Sequence, residues 1–127
     1  GGVDNNPYNV TEPRMDQLYV GWTAPGEWIK YTVKVEKKGR YTIGLMYTAN
    51  ADGAISLTAD DQPAGDTLFI PSTFNSSDTV GWRQWHHWRF IGNLSEIELQ
   101  EGIRVLTLHT VKKGNMNYDF LEFTLKQ

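Results

Sequence analysis

From Trp28 to Val35 polar and apolar residues alternate without a break. Ile29, Tyr31, Val33 and Val35 fall on one side, and Trp28, Lys30, Thr32 and Lys34 on the other. A period of two built from β-branched and aromatic residues marks a half-buried antiparallel strand. We place a strand over Glu27–Val35, preceded by a short one at Leu18–Gly21 and a tight turn at Pro25-Gly26. That turn leaves Trp22 on the loop side of the strand, where no alternation demands its burial. Trp28 lies within the strand and reads as structural, packing on a neighbouring strand.

The same period recurs downstream. Arg40–Thr48 sets Tyr41, Ile43, Leu45 and Tyr47 on one face, and Ala54–Ala59 does so with Ile55, Leu57 and Ala59. Thr67–Pro71 is a short strand that proline ends. Ser72–Val80 is the longest loop, polar and without periodicity. Gly81–Trp88 opens a strand to Phe90, Gly92-Asn93 breaks it, and Ile97–Leu99 resumes. Ile103–Val111 and Asn117–Leu125 complete the set. Residues 1–17 are polar and irregular, with room for one short edge strand. Short strands every 8 to 15 residues, turn chemistry between them and no amphipathic helix predict an all-β fold, an antiparallel β-sandwich of the jelly-roll type. Its expected core is Ile29, Tyr31, Val33, Ile43, Leu45, Leu57, Leu106, Leu108, Leu121 and Phe123.

Length narrows the picture: 127 residues suit one domain, spanning 1–127, with a core that needs no cross-links. There are no cysteines, so neither disulfides nor a thiol nucleophile is in play. Net charge is −3, with both signs scattered and no basic stripe, so nothing points to nucleic acid as a partner. No apolar run approaches the roughly 18 residues of a membrane helix, and no signal peptide is visible.

Aromatic residues change the picture most, at 13% with five tryptophans. Trp82, Trp85 and Trp88 recur at intervals of three, which neither face of a strand explains; a bulge would reconcile them. At least one of the three belongs to the core, and Trp82, nearest the long loop, is our choice for contact with a ligand. An exposed indole offers a large flat apolar face with few torsions to freeze, which suits contact with a ligand.

Other chemistry is weaker. His86 and His87, as neighbours on a strand, would point to opposite faces and are badly placed to share a metal. Fifteen acids are present, but none stands in a recognisable catalytic motif, and no G-x-S-x-G or phosphate loop occurs. No catalytic role follows. Asn9, Asn75 and Asn93 open N-x-[ST] sequons, relevant only in a chain that is glycosylated on secretion.

Four blocks carry a resemblance. They are Val20-Gly21-Trp22 with Gly26-Glu27-Trp28, Tyr31, Val33 and Val35; Gly39–Leu45; Gly81-Trp82-Arg83-Gln84-Trp85; and Gly102 with Leu106 and Leu108, followed by Asn117–Phe123. In this order they resemble family 6 carbohydrate-binding modules, galactose-binding-like jelly rolls that bind glycans without catalysis. The resemblance implies a secreted or cell-surface module of a polysaccharide-degrading enzyme, monomeric, with a polysaccharide or oligosaccharide as partner. It also implies a cleft among loops, in which Trp22 and Trp82 (or Trp85) flank a sugar ring and Asn117 bonds its hydroxyls. Read without the resemblance, Asn117 is a turn-capping residue as much as a ligand. The family's Glu-x-Glu strand, which helps hold a structural calcium, has no counterpart ahead of Leu18. Calcium is therefore expected to be weak or absent, with Asp119 the matching position for a surviving ligand. Trp88 and the stretch Arg89–Ser95 depart from the family as additions. The competing class is a structural or protein-interaction sandwich in which the same tryptophans are core.

Overall fold

In the computed structural model, which describes residues 2–5, 18–21, 23–112 and 116–126, β-strands dominate. They are β1 (Gly2–Asn5), β2 (Leu18–Gly21), β3 (Trp28–Val35), β4 (Gly39–Ala49), β5 (Gly53–Ala59), β6 (Gln62–Pro63), β7 (Leu68–Ile70), β8 (Arg89–Leu99), β9 (Gly102–Lys112) and β10 (Met116–Leu125). One 3₁₀ helix, η1 (Gly81–His86), interrupts them between β7 and β8. The larger sheet runs β1-β2-β10-β4-β8; the smaller runs β3-β9-β5-β6, with β7 also on β5. All pairings are antiparallel. The predicted sandwich is the fold, and the edge strand allowed for within residues 1–17 is β1.

Alternation decides what each sheet buries. Ile43, Leu45, Leu57, Leu106 and Leu108 sit inside the core between the sheets, while Ile29, Tyr31, Val33, Leu121 and Phe123 pack half-buried against it. The deepest large side chains include Tyr47 and Tyr118, both closed off from solvent. Each hydroxyl has a partner: Tyr47 donates to the Pro71 carbonyl at 2.7 Å, and Tyr118 shares a 2.8 Å bond with Thr110 Oγ1. A buried phenol must be bonded, because leaving its oxygen dry and unpaired costs about 1–3 kcal/mol.

β4 is buried on both faces from Ile43 to Ala49. Its inward residues meet the core. Outward, Met46 joins a second cluster with Tyr19 and Trp88, against which Phe120 packs. This cluster is possible because β10 bulges at Asp119: Tyr118 opposes Tyr47, and Phe120 opposes Met46. The bulge sends Tyr118 inward and Phe120 outward, which unbroken alternation over Asn117–Leu125 would not allow.

Two local expectations are corrected. Gly92-Asn93 does not end a strand: β8 runs through it, with Gly92, Asn93 and Leu94 bulging opposite Gly44 alone. Phe90 folds over that glycine, and a Cβ there would lie 2.6 Å from the ring's Cζ. The freed Phe90 ring stacks on Phe120 with centroids 5.8 Å apart. The two rings thus cover part of the outer face of the larger sheet. The second correction is that Gly81–His86 is helical rather than the opening of a strand.

Candidate functional site

The spacing of Trp82, Trp85 and Trp88 now has its reason. Three residues make one turn of a 3₁₀ helix, so Trp82 and Trp85 lie one above the other along η1; no bulge is involved. Exposure falls in steps along the series. Trp82 is 55% exposed, Trp85 is half-buried, and Trp88 is buried at 6% with Tyr19 edge-on at 5.2 Å. Trp88 is the core member of the three, and Trp82 is the one presented to solvent, edge-on to the buried His86.

A short 3₁₀ helix has little stability of its own, and Val80 gives it no side-chain cap. It is held from outside by two side chains. The Gln84 amide, 3% exposed, accepts from Asn75 N–H at 2.7 Å and donates to the carbonyls of Asn75 and Asp78 at 2.8 and 2.9 Å. Asp78 accepts a fork from Arg83, with Nε at 2.7 Å and Nη2 at 2.8 Å; it also accepts from Val80 N–H and from His87 Nε2. The Arg83 guanidinium first, then His87, holds the Asp78 carboxyl well below the usual carboxylate range. Thr73 and Ser72 tie the loop's start to Ala49. The aperiodic stretch Ser72–Val80 is therefore a braced platform.

Asn117 lies where the site residues converge. Its Nδ2 donates to the Trp85 carbonyl at 3.2 Å, and its side chain is only 5% exposed. Its Oδ1 rests so close to Gly21 that a Cβ on that residue would come within 2.9 Å. The end of β2, the start of β10 and η1 thus meet at one amide, which brings together Gly21, Asn117 and Trp85. Trp22, the residue after Gly21, lies outside the described residues. Next to this junction, Thr23 Oγ1 donates to the Met116 carbonyl at 2.6 Å and receives its N–H.

Trp28 is the residue that sequence reasoning misplaced. It is 60% exposed on the outer face of the smaller sheet, directly opposite His109, which in turn opposes Ser56. The signal was present in the alternation, which groups Trp28 with Lys30, Thr32 and Lys34 on the polar side. The last residue of η1 and the one after it separate, His86 against Trp82 and His87 on Asp78.

Asp119, the expected metal ligand, occupies the β10 bulge. Among the described residues no group of three or more His, Asp or Glu side chains converges as a metal site would require. No described helix is long and apolar enough to cross a membrane.

An antiparallel sandwich that holds a solvent-facing tryptophan over a braced loop end has the architecture of the sugar-binding β-sandwich modules. The chain belongs to one such family: residues 3–127 match carbohydrate binding module family 6. It is a non-catalytic carbohydrate-binding module. No curated protein sequence matches significantly.

Solved structures share the fold. A family 35 carbohydrate binding module from Clostridium thermocellum superimposes with TM-score 0.73 at 18% identity, over 98% of this chain and 88% of that one. A module of Cellvibrio mixtus lichenase 5A, solved with cellotriose, gives 0.71 at 19%, over 99% and 87%. The Podospora anserina GH26-CBM35 β-(1,4)-mannanase gives 0.70 at 12%, over 100% of this chain and 25% of that one.

Proposed function

We propose that the module binds a polysaccharide or its chain end at the η1 end of the sandwich, as an accessory unit of a secreted polysaccharide-degrading enzyme. Trp82 supplies an indole face for a sugar ring, and Trp22, one residue beyond Gly21, flanks it from the other side. Trp85 shapes the floor. Asn117 orients η1 through the Trp85 carbonyl and keeps a second amide hydrogen for a ligand hydroxyl. The observation that carries this reading is the single amide joining Gly21, Asn117 and Trp85 beneath an exposed Trp82.

The test is affinity electrophoresis of the module, as a monomer, against plant and algal polysaccharides, beside a Trp22→Ala, Trp82→Ala double variant. At about 1 kcal/mol of stacking per ring, the pair weakens binding about 30-fold. Equal retention of variant and parent overturns the site. Any structural calcium is weaker than is usual for the family, or absent. Melting temperatures with and without a chelator should coincide, and a large fall on chelation contradicts this.

A further inference from the structure

Beside η1 the surface carries a groove of about 450 Å³, lined among others by Ser72, Phe74, Asn75, His87, Trp88 and Arg89. Two features set it apart from an ordinary crease. Phe74 is 56% exposed at the tip of a loop that Gln84, Asp78 and Ala49 hold rigid, so its ring stays out in solvent although it has apolar area to bury. Arg89, where β8 begins, is exposed, and no carboxylate among the described residues lies within ion-pair distance of it.

Arg89 is nevertheless held. It faces Tyr47 directly across the β4–β8 ladder, beside a buried hydroxyl that donates to the Pro71 carbonyl. The other charges at this end are already committed. Asp78 is taken by Arg83 and His87, and Asp52 accepts the Ser72 N–H at 2.8 Å. A guanidinium with no carboxylate beside it among the described residues, facing a groove of hydroxyls and amides beside an exposed ring, is equipped to receive an anion carried on a sugar. The fork of Arg matches a carboxylate or sulfate in two-point contact, and the ring takes the apolar face of the pyranose.

We infer that this groove is a subsite for an anionic sugar unit, a uronate or a sulfate ester, with Arg89 reading the charge and Phe74 carrying the ring. The inference rests on glycan binding at the η1 end, and it names a class of chain for that site. A net charge of −3 repels polyanions as a whole, so retention on one requires a local site such as this.

The experiment measures affinity of the intact module for matched pairs: glucuronoxylan against debranched xylan for the carboxylate, and carrageenan against neutral galactan for the sulfate. Laminarin serves as a further neutral chain. Binding should favour at least one acidic member over its neutral partner, and which pair responds tells uronate from sulfate. Arg89→Gln should then weaken the acidic ligand roughly tenfold and leave neutral binding unchanged. Arg89→Lys should recover only part of the loss, because it keeps the charge without the fork. Phe74→Ala should weaken the acidic ligand with no change in melting temperature. Preference for the neutral partners, or an Arg89→Gln variant that binds the acidic chain as tightly as the parent, overturns the subsite while glycan binding at η1 stands. Binding to none of the chains overturns both.

Discussion

The two ends of η1's surroundings are held by different physics. Below it, β4, β9 and β10 press Ile43, Leu45, Leu106, Leu108 and Tyr118 into a core that excludes solvent almost completely. Above it, Ser72–Val80 buries little and is held by directional bonds, with Gln84 and Asp78 each tying several chain positions. The first region spreads its stability over many apolar contacts. The second concentrates its order in two side chains, so it can present Phe74 and Trp82 to solvent without collapsing on them. A surface built this way is ordered in advance, and such order lowers the entropic cost of any binding that uses it.

The comparison breaks most visibly at Leu108. Leu108→Ala removes a fully buried side chain from the middle of the core and should cost about 2–5 kcal/mol in denaturant unfolding. Glycan affinity of the folded fraction should not change. If it did, the loop end would not be independent of the core.

Base should attack the core region. Burial pushes the Tyr118 hydroxyl up to about 12 from 10.0. The folded state thus resists its ionisation. The stability this group confers is fully present below the unfolded value near 10 and is lost as pH rises toward 12. The loss should reach roughly 2–3 kcal/mol, read as a falling melting temperature. Tyr118→Phe should flatten that alkaline limb, at the cost of leaving Thr110 Oγ1 without its bond.

Gln84→Ala tests the loop end. It strips the partner from Asn75 N–H and from two carbonyls, and should destabilise by about 1–3 kcal/mol. The sharper readout is amide exchange, which should speed at Asn75 far more than in β4 or β9. Uniform acceleration through the chain would mean that the clamp belongs to the global fold.

Acid should act on the loop end as base does on the core. The Asp78 carboxyl is depressed, so its contribution is present above the ordinary carboxylate range, near pH 4, and disappears as pH falls through its lower folded value. Between pH 4 and 7 glycan affinity should therefore be insensitive to this group. Asp78→Asn should lose binding at neutral pH, with only a small change in melting temperature. The stability effect of Trp82→Ala should be small as well, under about 0.5 kcal/mol, because the ring is 55% exposed.

Most strands were legible because a sheet with one wet face writes its period into the chain; β3 and β5 are the clear cases. Trp28 shows the limit of that signal, since its face was readable but its burial was guessed from residue type. η1 was not legible. Its residues follow a period of three that suits no strand, and its helix is stabilised by Gln84 and Asp78 bonding to neighbours in the loop rather than by any propensity.

Asn117 marks the boundary between what the sequence determined and what the tertiary structure decided. The chain alone named it, through a resemblance, as a residue of the site, and alternation alone set the sandwich and most of its core. That its amide reaches the Trp85 carbonyl while its oxygen rests on Gly21 depends on the pairing of β10 with both β4 and β2. The exposure of Trp82, the burial of Trp88 and the placing of Arg89 opposite Tyr47 follow from the same packing. Periodicity is a property of neighbours in the chain, whereas these contacts join segments tens of residues apart, and their geometry exists only once both sheets have closed.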